Sequence, residues 1–257
     1  MLTDALVIAR KECRDHLRDG RGLLSAALYT FMGPAVTALV AVASRDRAGQ
    51  NALAAMAAVF AVMSAFRGGL GIAIDVMAGE RERQSLLPLL LNPSSRGAIA
   101  AGKWLVAAAF AFVALLLNVA VFLAVLSHAH TIDAQTLARV ALAIGPLAAL
   151  AGLAAALELV ISTLSATTKE ANAYTSIVTF LVMGLCMWRA FRPATGGMTS
   201  FVLPIAGQQA MLARLFDLVS TPPGAPWILS AATLTLAAGL VAMASRLLAS
   251  DRVVYGG

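Results

Sequence analysis

Charge is what this chain has least of. Only 12% of its 257 residues are Asp, Glu, Lys or Arg, about half the share of an ordinary soluble domain, which excludes a water-covered globule. Cysteine is nearly absent: Cys13 stands in a polar N-terminal segment and Cys186 inside an apolar run. A disulfide framework and a CxxC metal site are thereby excluded. Of the three histidines, His128 and His130 share one short loop and His16 stands far away. No HExxH occurs, and the loop pair alone leaves a zinc ion short of ligands, so a zinc enzyme is excluded. No GxxxxGK[ST] phosphate loop occurs either, which leaves the chain no evident means of hydrolysing ATP. The start, MLTDALVIARKECRDHLRDGRG, lacks the basic-then-apolar order and small-residue cleavage site of a signal peptide and is expected to be retained.

What is present is apolar length. Hydrophobic residues make up 60% of the chain and the mean hydropathy is +0.83, so the chain is expected to live in a bilayer. Crossing a hydrocarbon core of ~30 Å takes about 20 apolar residues in a helix. Runs of that kind place spans at 22–44, 52–77, 104–126, 137–164, 173–191 and 227–248. The expected fold is therefore all-α: a polytopic membrane protein with six transmembrane helices in a single domain covering 1–257. Arg67, Gly68, Gly69 and Gly71 interrupt the second run and predict a kink. Residues 192–226 are too broken by proline and polar groups to span, yet too apolar for a solvated loop. Ile205, Met211, Leu212, Leu215 and Leu218 fall near helical spacing there, with Gln208, Arg214 and Asp217 between them, the pattern of an external re-entrant or interfacial helix.

The net charge of +6 does not read as nucleic-acid binding, because the basic residues border the apolar runs instead of interleaving with aromatics. They set topology. Arg10, Lys11, Arg14, Arg18 and Arg21 precede the first span; Arg81, Arg83, Arg96 and Lys103 lie between the second and third; Lys169 lies between the fourth and fifth; Arg246 and Arg252 follow the sixth. All fall on one side of a six-span chain, and positive flanks are retained in the cytoplasm, so both termini are expected there. The other side holds the more scattered Arg45, Arg47, Arg139, Arg192 and Arg214.

Two of the positive segments have a pattern of their own. In 1–21, Leu6, Ile8, Ala9, Cys13 and Leu17 recur at helical intervals while Lys11, Arg14, Asp15, Arg18 and Asp19 take other faces, which predicts an amphipathic helix at the membrane surface. In 79–103, four charges at 80–83 precede SLLPLLL, an apolar patch too short to cross, and NPSSR turns the chain toward Lys103. Such a short segment, ionic at its start and apolar after it, suits insertion into a groove on a soluble partner, and it equally suits an interfacial loop.

The order DVMAGERERQSLLPLLLNPSSRGAIAAGKWL resembles the signature of type-2 ATP-binding-cassette (ABC) permeases, especially those grouped with sodium-export and copper-site-maturation systems. The matching positions are Gly79, Glu80, Arg81, Glu82, Ser85, Leu86, Leu89, Leu90, Pro93, Ser95, Arg96, Gly102 and Lys103, and Arg83 completes the charged group. ARKECRDHLRDGRGLL, ATTKEAN and VLPIAGQQAMLARL resemble, respectively, the family's N-terminal helix, second cytoplasmic turn and re-entrant element. The resemblance implies a non-enzymatic permease subunit in a bacterial inner membrane. Its 79–103 segment would couple to a separate ABC ATPase that carries ATP and Mg, and a second permease subunit would complete the pathway. The chain itself is then expected to hold no cofactor, metal or nucleic acid. One departure stands out: only SRDRAGQN joins the first two spans, where many members carry a large external domain. Sodium, a peptide, a lipid-like molecule and a metal-maturation factor all stay open as substrates.

Charges inside spans usually face a bundle interior or a watery cavity. Arg67 is the deepest, roughly 20 Å of helix before Glu80 at about 1.5 Å per residue. It is a candidate pathway residue, with Glu158 as its acidic neighbour, while Asp75, Glu158 and Arg189 sit near enough to span ends for interfacial solvation. The rival classes are a membrane-integral enzyme and a non-transporting membrane assembly factor. For the first, Asp75 and Glu158 are the available carboxylates, without a recognisable nucleophile or oxyanion donors beside them.

Overall fold

The computed structural model describes residues 2–18, 27–28, 30–36, 47–86, 88, 94–126, 134–191, 199–215 and 222–250. Among these the regular elements are helical. They are α1 (Leu2–Leu17), α2 (Arg47–Gly68), α3 (Leu70–Ile74), a π-helical turn (Asp75–Gly79), α4 (Glu80–Glu82), α5 (Arg96–Leu126), α6 (Ala134–Leu164), α7 (Thr168–Ala190), α8 (Thr199–Val202), α9 (Ala206–Leu215) and α10 (Ala225–Leu247). Five stretches are long and apolar enough to cross a membrane: Ala54–Glu82, Arg96–Val125, Ala134–Leu164, Thr168–Ala190 and Ala225–Leu247. These are the second to sixth expected spans. Of the first, residues 27–28 and 30–36 are helical, and the remainder lies outside the described residues. Asn118 of α5 donates to the Thr30 carbonyl at 2.7 Å, which holds that segment to the bundle.

α6 is the axis of the fold. Its buried residues run without a break from Ala149 to Ala156 and go round the whole helix, as expected of a helix enclosed by others rather than facing lipid. Two apolar clusters stack along it. One joins Val62, Phe66, Leu115, Leu150, Met211 and Leu229; the other, at the charged end, joins Ile72, Met77, Ile99, Val106, Leu159 and Leu248. Lipid offers no hydrophobic driving force between helices, so close contact depends on small residues. A Cβ at Gly69 would come 2.6 Å from the Ala107 carbonyl and 3.2 Å from the Ala111 methyl of α5, so α2 and α5 meet backbone to backbone there. On their outer faces α7 and α10 expose Phe180, Leu181, Trp188, Trp227 and Leu236, the lipid-facing chemistry of a bundle rim.

The kink expected between Arg67 and Gly71 falls at Gly69, where α2 gives way to α3. A second irregularity follows that periodicity does not signal. Over Asp75–Gly79 the helix widens to a π turn, and Ser162 of α6 inserts its hydroxyl into the gap. Its Oγ donates to the Ile74 carbonyl at 3.1 Å and accepts from the Ala78 N–H at 3.0 Å, the two groups that would bond to each other in an uninterrupted α-helix. The π turn passes the Ile74 carbonyl to the Gly79 N–H, so the freed group is the Ala78 N–H, and Ser162 satisfies it while adding a second donor to that carbonyl. Ser162→Ala is expected to orphan the Ala78 N–H and cost about 1–3 kcal/mol. Ser162→Thr, which keeps the hydroxyl, should recover part of that loss. Thermal unfolding of the two variants in detergent checks this, and an alanine variant as stable as the parent would show that the bulge closes without the splint.

Two expectations about segment character are corrected. α5 begins at Arg96, about two turns before the expected span at 104, because Ser95 caps it by accepting from the Ala98 N–H at 3.2 Å and the alanine-rich RGAIAAGK favours helix. The other concerns the segment 192–226, expected to hold an external re-entrant or interfacial helix with Gln208, Arg214 and Asp217 between its apolar residues. Gln208 and Gln209 are instead buried. Gln208 donates to the Thr233 hydroxyl at 2.8 Å and accepts from the Ile205 N–H at 2.6 Å, and Gln209 donates to the Cys186 carbonyl at 2.8 Å. Ile205, a β-branched residue at φ 69°, sits in backbone space that such residues avoid, and the Gln208 bond holds it there. Helical spacing alone cannot tell a glutamine facing water from one reaching a carbonyl on a neighbouring helix. Asp217 and Leu218 of that pattern lie outside the described residues.

Candidate functional site

The charged stretch at 80–83 was expected to reach outward. Most of it reaches sideways, each residue to a different part of the bundle. Glu80 accepts from Lys103 of α5, Oε1 to Nζ 2.7 Å. Arg81 donates to the Ser165 carbonyl between α6 and α7 at 2.9 Å. Glu82 accepts from both the backbone N–H and the hydroxyl of Thr168, at 3.1 and 2.9 Å, so its carboxylate occupies the N-terminus of α7, where negative charge is favoured. Arg83 turns back to Asp75 at 2.8 Å. That hydrogen bond raises the Arg83 pKa above its ordinary value.

The ATTKEAN turn explains why α7 starts where Glu82 can reach it. Thr167 caps the helix by accepting from the Glu170 N–H, and Glu170 accepts in return from the Ala166 N–H at 2.7 Å, a capping box. α4 ends equally sharply. Ser85 N–H reaches the Glu80 carbonyl at 2.9 Å and Gln84 N–H the Arg81 carbonyl at 3.0 Å, a Schellman closure with Gln84 at φ 57° in the position glycine usually takes.

Lys103 is the centre of this arrangement and is fully buried. Expected as one of the positive flanks between two spans, it is instead carried inside, because helix α5 begins at Arg96. Its ammonium meets Glu80, the Val76 carbonyl at 2.6 Å and Glu12 of α1 at 3.6 Å. Glu12, which the sequence reading did not single out, is itself buried. α1 comes this close because Gly102 has no side chain: a Cβ there would meet the Ala5 carbonyl at 2.7 Å and the Ile8 Cβ at 2.9 Å. A second link runs parallel, His16 Nε2 to Asp75 at 3.6 Å. The N-terminal helix, the π turn, α4 and the starts of α5 and α7 are therefore one ionic and hydrogen-bonded unit.

The leucines divide. Leu86 is buried against Ile72, Val76 and Ile99 of its own chain, whereas Leu89, Leu90 and Pro93 lie outside the described residues. Glu82, Arg83, Gln84, Ser85, Pro88, Ser95 and Arg96 form the exposed strip at this end.

Deeper in the bundle, Arg67 is half-buried at the end of α2. Glu158 is 1% exposed, and neither carboxylate oxygen has a hydrogen-bond partner among the described residues. The interfacial solvation expected of Glu158 is thus corrected: α10 and the π turn close over the end of α6 that residue-counting left open to water. Arg67 and Glu158, the candidate pathway charges, both lie within membrane-length helices, α2 and α6. Among the described residues no group of three or more His, Cys, Asp or Glu side chains could hold a metal ion.

A bundle with five helical stretches long and apolar enough to cross a membrane, tied together at one end by the charged residues at 80–83, is that of an integral membrane protein. Residues 6–220 match the family described as ABC-2 family transporter protein, and the chain belongs to that family of type-2 ABC permeases. It is similar to the ABC transporter permease protein NatB of Bacillus subtilis (strain 168), 31% identical over 171 residues. Those residues are 63% of this chain and 44% of NatB, so the match spans less than half of that relative's length.

Proposed function

We propose that the chain is the membrane-spanning subunit of an ATP-driven exporter. ATP and Mg bind a separate ABC ATPase, and a second permease subunit, identical or related, completes the pathway across the bilayer. ATP-driven closure of the ATPase pair moves the segment at 79–103, and the spans rock between inward- and outward-open arrangements. The observation that carries this reading is the web at 80–83: a force applied to α4 reaches α5 through Glu80, the turn between α6 and α7 through Arg81 and α7 through Glu82, and it reaches α1 by way of Lys103 and Glu12. The exposed residues Glu82, Arg83, Gln84, Ser85, Pro88 and Arg96 are the surface offered to the ATPase, and Leu89, Leu90 and Pro93 are assigned to the same contact from the sequence, whereas Leu86 is buried in its own chain. Arg67 and Glu158 are the candidate pathway charges.

The test is copurification of an ATPase containing a phosphate loop with the tagged chain. Replacing Leu89 and Leu90 together by Ala should reduce its recovery by at least tenfold, because each buried leucine contributes about 1.5–3 kcal/mol. Undiminished recovery would make the segment a connecting loop. The same membranes report orientation. A cysteine at Gly257 should react with an impermeant maleimide only after the cells are opened, since positive flanks place both termini in the cytoplasm; labelling of intact cells would invert the topology.

A further inference from the structure

α1 has two working faces, and the web at the charged end uses one of them. Ala5 and Glu12 are buried against α5, and His16 is largely covered. The opposite face is uncovered among the described residues, and it combines grease with cation. Leu6, Val7 and Leu17 are 55%, 69% and 57% exposed, and Arg10, Lys11, Arg14 and Arg18 are exposed too. At about 3.6 residues per turn, Leu6 and Leu17 fall at one edge of this face, Arg10 and Arg14 come next, then Arg18 and Lys11, with Val7 among them. Lys11 lies 3.9 Å from Glu12; Arg10, Arg14 and Arg18 have no ion pair among the described residues. Asp4 and Asp15 stand at the far edge from the leucines.

Depth decides what this face meets. The span Arg96–Val125 has 30 residues, about 45 Å of helix against a hydrocarbon core of ~30 Å, so several residues at its start stand in the headgroup layer. α1 packs on Gly102, about 9 Å along the helix from Arg96 and so at the border between headgroups and hydrocarbon. Leu6 and Leu17 then dip toward acyl chains while three unpaired guanidiniums lie level with phosphates, to which their planar forks are suited.

We infer that the free face of α1 is a binding surface for anionic lipid headgroups, held by Arg10, Arg14 and Arg18. An acidic face on a protein partner would use the guanidiniums but leave the leucine edge unexplained; a lipid surface uses both. This goes beyond the transport reading and does not depend on it. Because Glu12 and His16 leave the same helix toward Lys103 and Asp75, a headgroup held outside fixes the register of the web inside.

The full chain, with Cys13→Ser, Cys186→Ala and a fluorophore on Leu6→Cys, is reconstituted into vesicles of equal phosphatidylglycerol and phosphatidylcholine, with acyl-chain bromines as quenchers on one lipid or the other. Both leaflets carry the same mixture, so orientation does not enter. The same label at Phe180→Cys, on the apolar face of α7, sets the unselective baseline. We expect the preference for brominated phosphatidylglycerol at position 6 to exceed that baseline by about fivefold or more, since each basic residue near an anionic surface contributes ~1 kcal/mol. The excess should vanish in Arg10→Gln/Arg14→Gln/Arg18→Gln. In the parent it should shrink at ~1 M salt, where screening acts within about 3 Å. Equal quenching by both lipids, or a preference that survives the triple variant, would overturn the inference. So would weak quenching by either lipid, which would mean that protein covers the face.

Discussion

Lys103→Met is expected to lower the stability of the detergent-solubilised protein by about 3–5 kcal/mol, the cost of leaving buried partners of an ion pair uncompensated. The lysine is fully buried, and three oxygens from three elements converge on it: Glu80 of α4, Glu12 of α1 and the Val76 carbonyl of the π turn. Without the ammonium, two carboxylates face each other in a site from which water is excluded. By contrast Arg83→Met should cost no more than ~1 kcal/mol, because Arg83 and Asp75 are 58% and 44% exposed and water compensates either partner. Thermal unfolding monitored by intrinsic fluorescence separates the two. Adding Glu12→Gln and Glu80→Gln to Lys103→Met should recover much of the loss, since neutral amides have less to lose on burial than carboxylates. If Lys103→Met unfolds at the parent's temperature, the ammonium is solvated, and α1 and α4 are not coupled through it.

That result bears on how ATP-driven motion would spread. An exposed ion pair stretches and re-forms in water, whereas a buried pair sharing a carbonyl resists separation until the whole site opens. Force entering at α4 would therefore move α1 with α5 as one piece.

Five of the six expected spans were legible as membrane-length helices because bilayer thickness imposes a length and a polarity on each of them; the runs at 137–164 and 227–248 fall within three residues of the observed helices at either end. The kink at Gly69 was legible because glycines next to a charge leave little to hold a helix straight. The charged end was legible in composition but not in direction. GERER announces that residues 80–83 matter, yet a sequence cannot say that Glu80 turns to a lysine 23 positions later or that Glu82 sits over Thr168, because those partners are brought together by packing. Lys103 was the plainest loss: a lysine beside an apolar run looks like a topology signal, and only the early start of α5 at Arg96, fixed by the Ser95 cap, turns it inward. Ser162 carried no signal at all. A serine near a span end is common, and its role exists only because the neighbouring helix opens by one residue.

Glu158→Met is expected to raise the thermal stability of the chain and to diminish coupled turnover. A buried carboxyl whose two oxygens make no hydrogen bond costs at least the ~1–3 kcal/mol of an unsatisfied polar group, and methionine fills similar volume without that cost. A buried acid that weakens the fold has the profile of a group kept for work rather than for packing. Two measurements settle which it is. If Glu158 belongs to a structural ion pair, Glu158→Met removes that pair, and the unfolding temperature falls. If Glu158 serves the pathway, the unfolding temperature rises while ATP turnover by the reconstituted complex loses its coupling to transport. Arg67→Leu should then lose coupling as well, while still inserting, because removing a charge lowers the cost of placing α2 in the bilayer. Full coupling in both variants would remove Arg67 and Glu158 from the pathway and leave the route between the spans to uncharged surfaces.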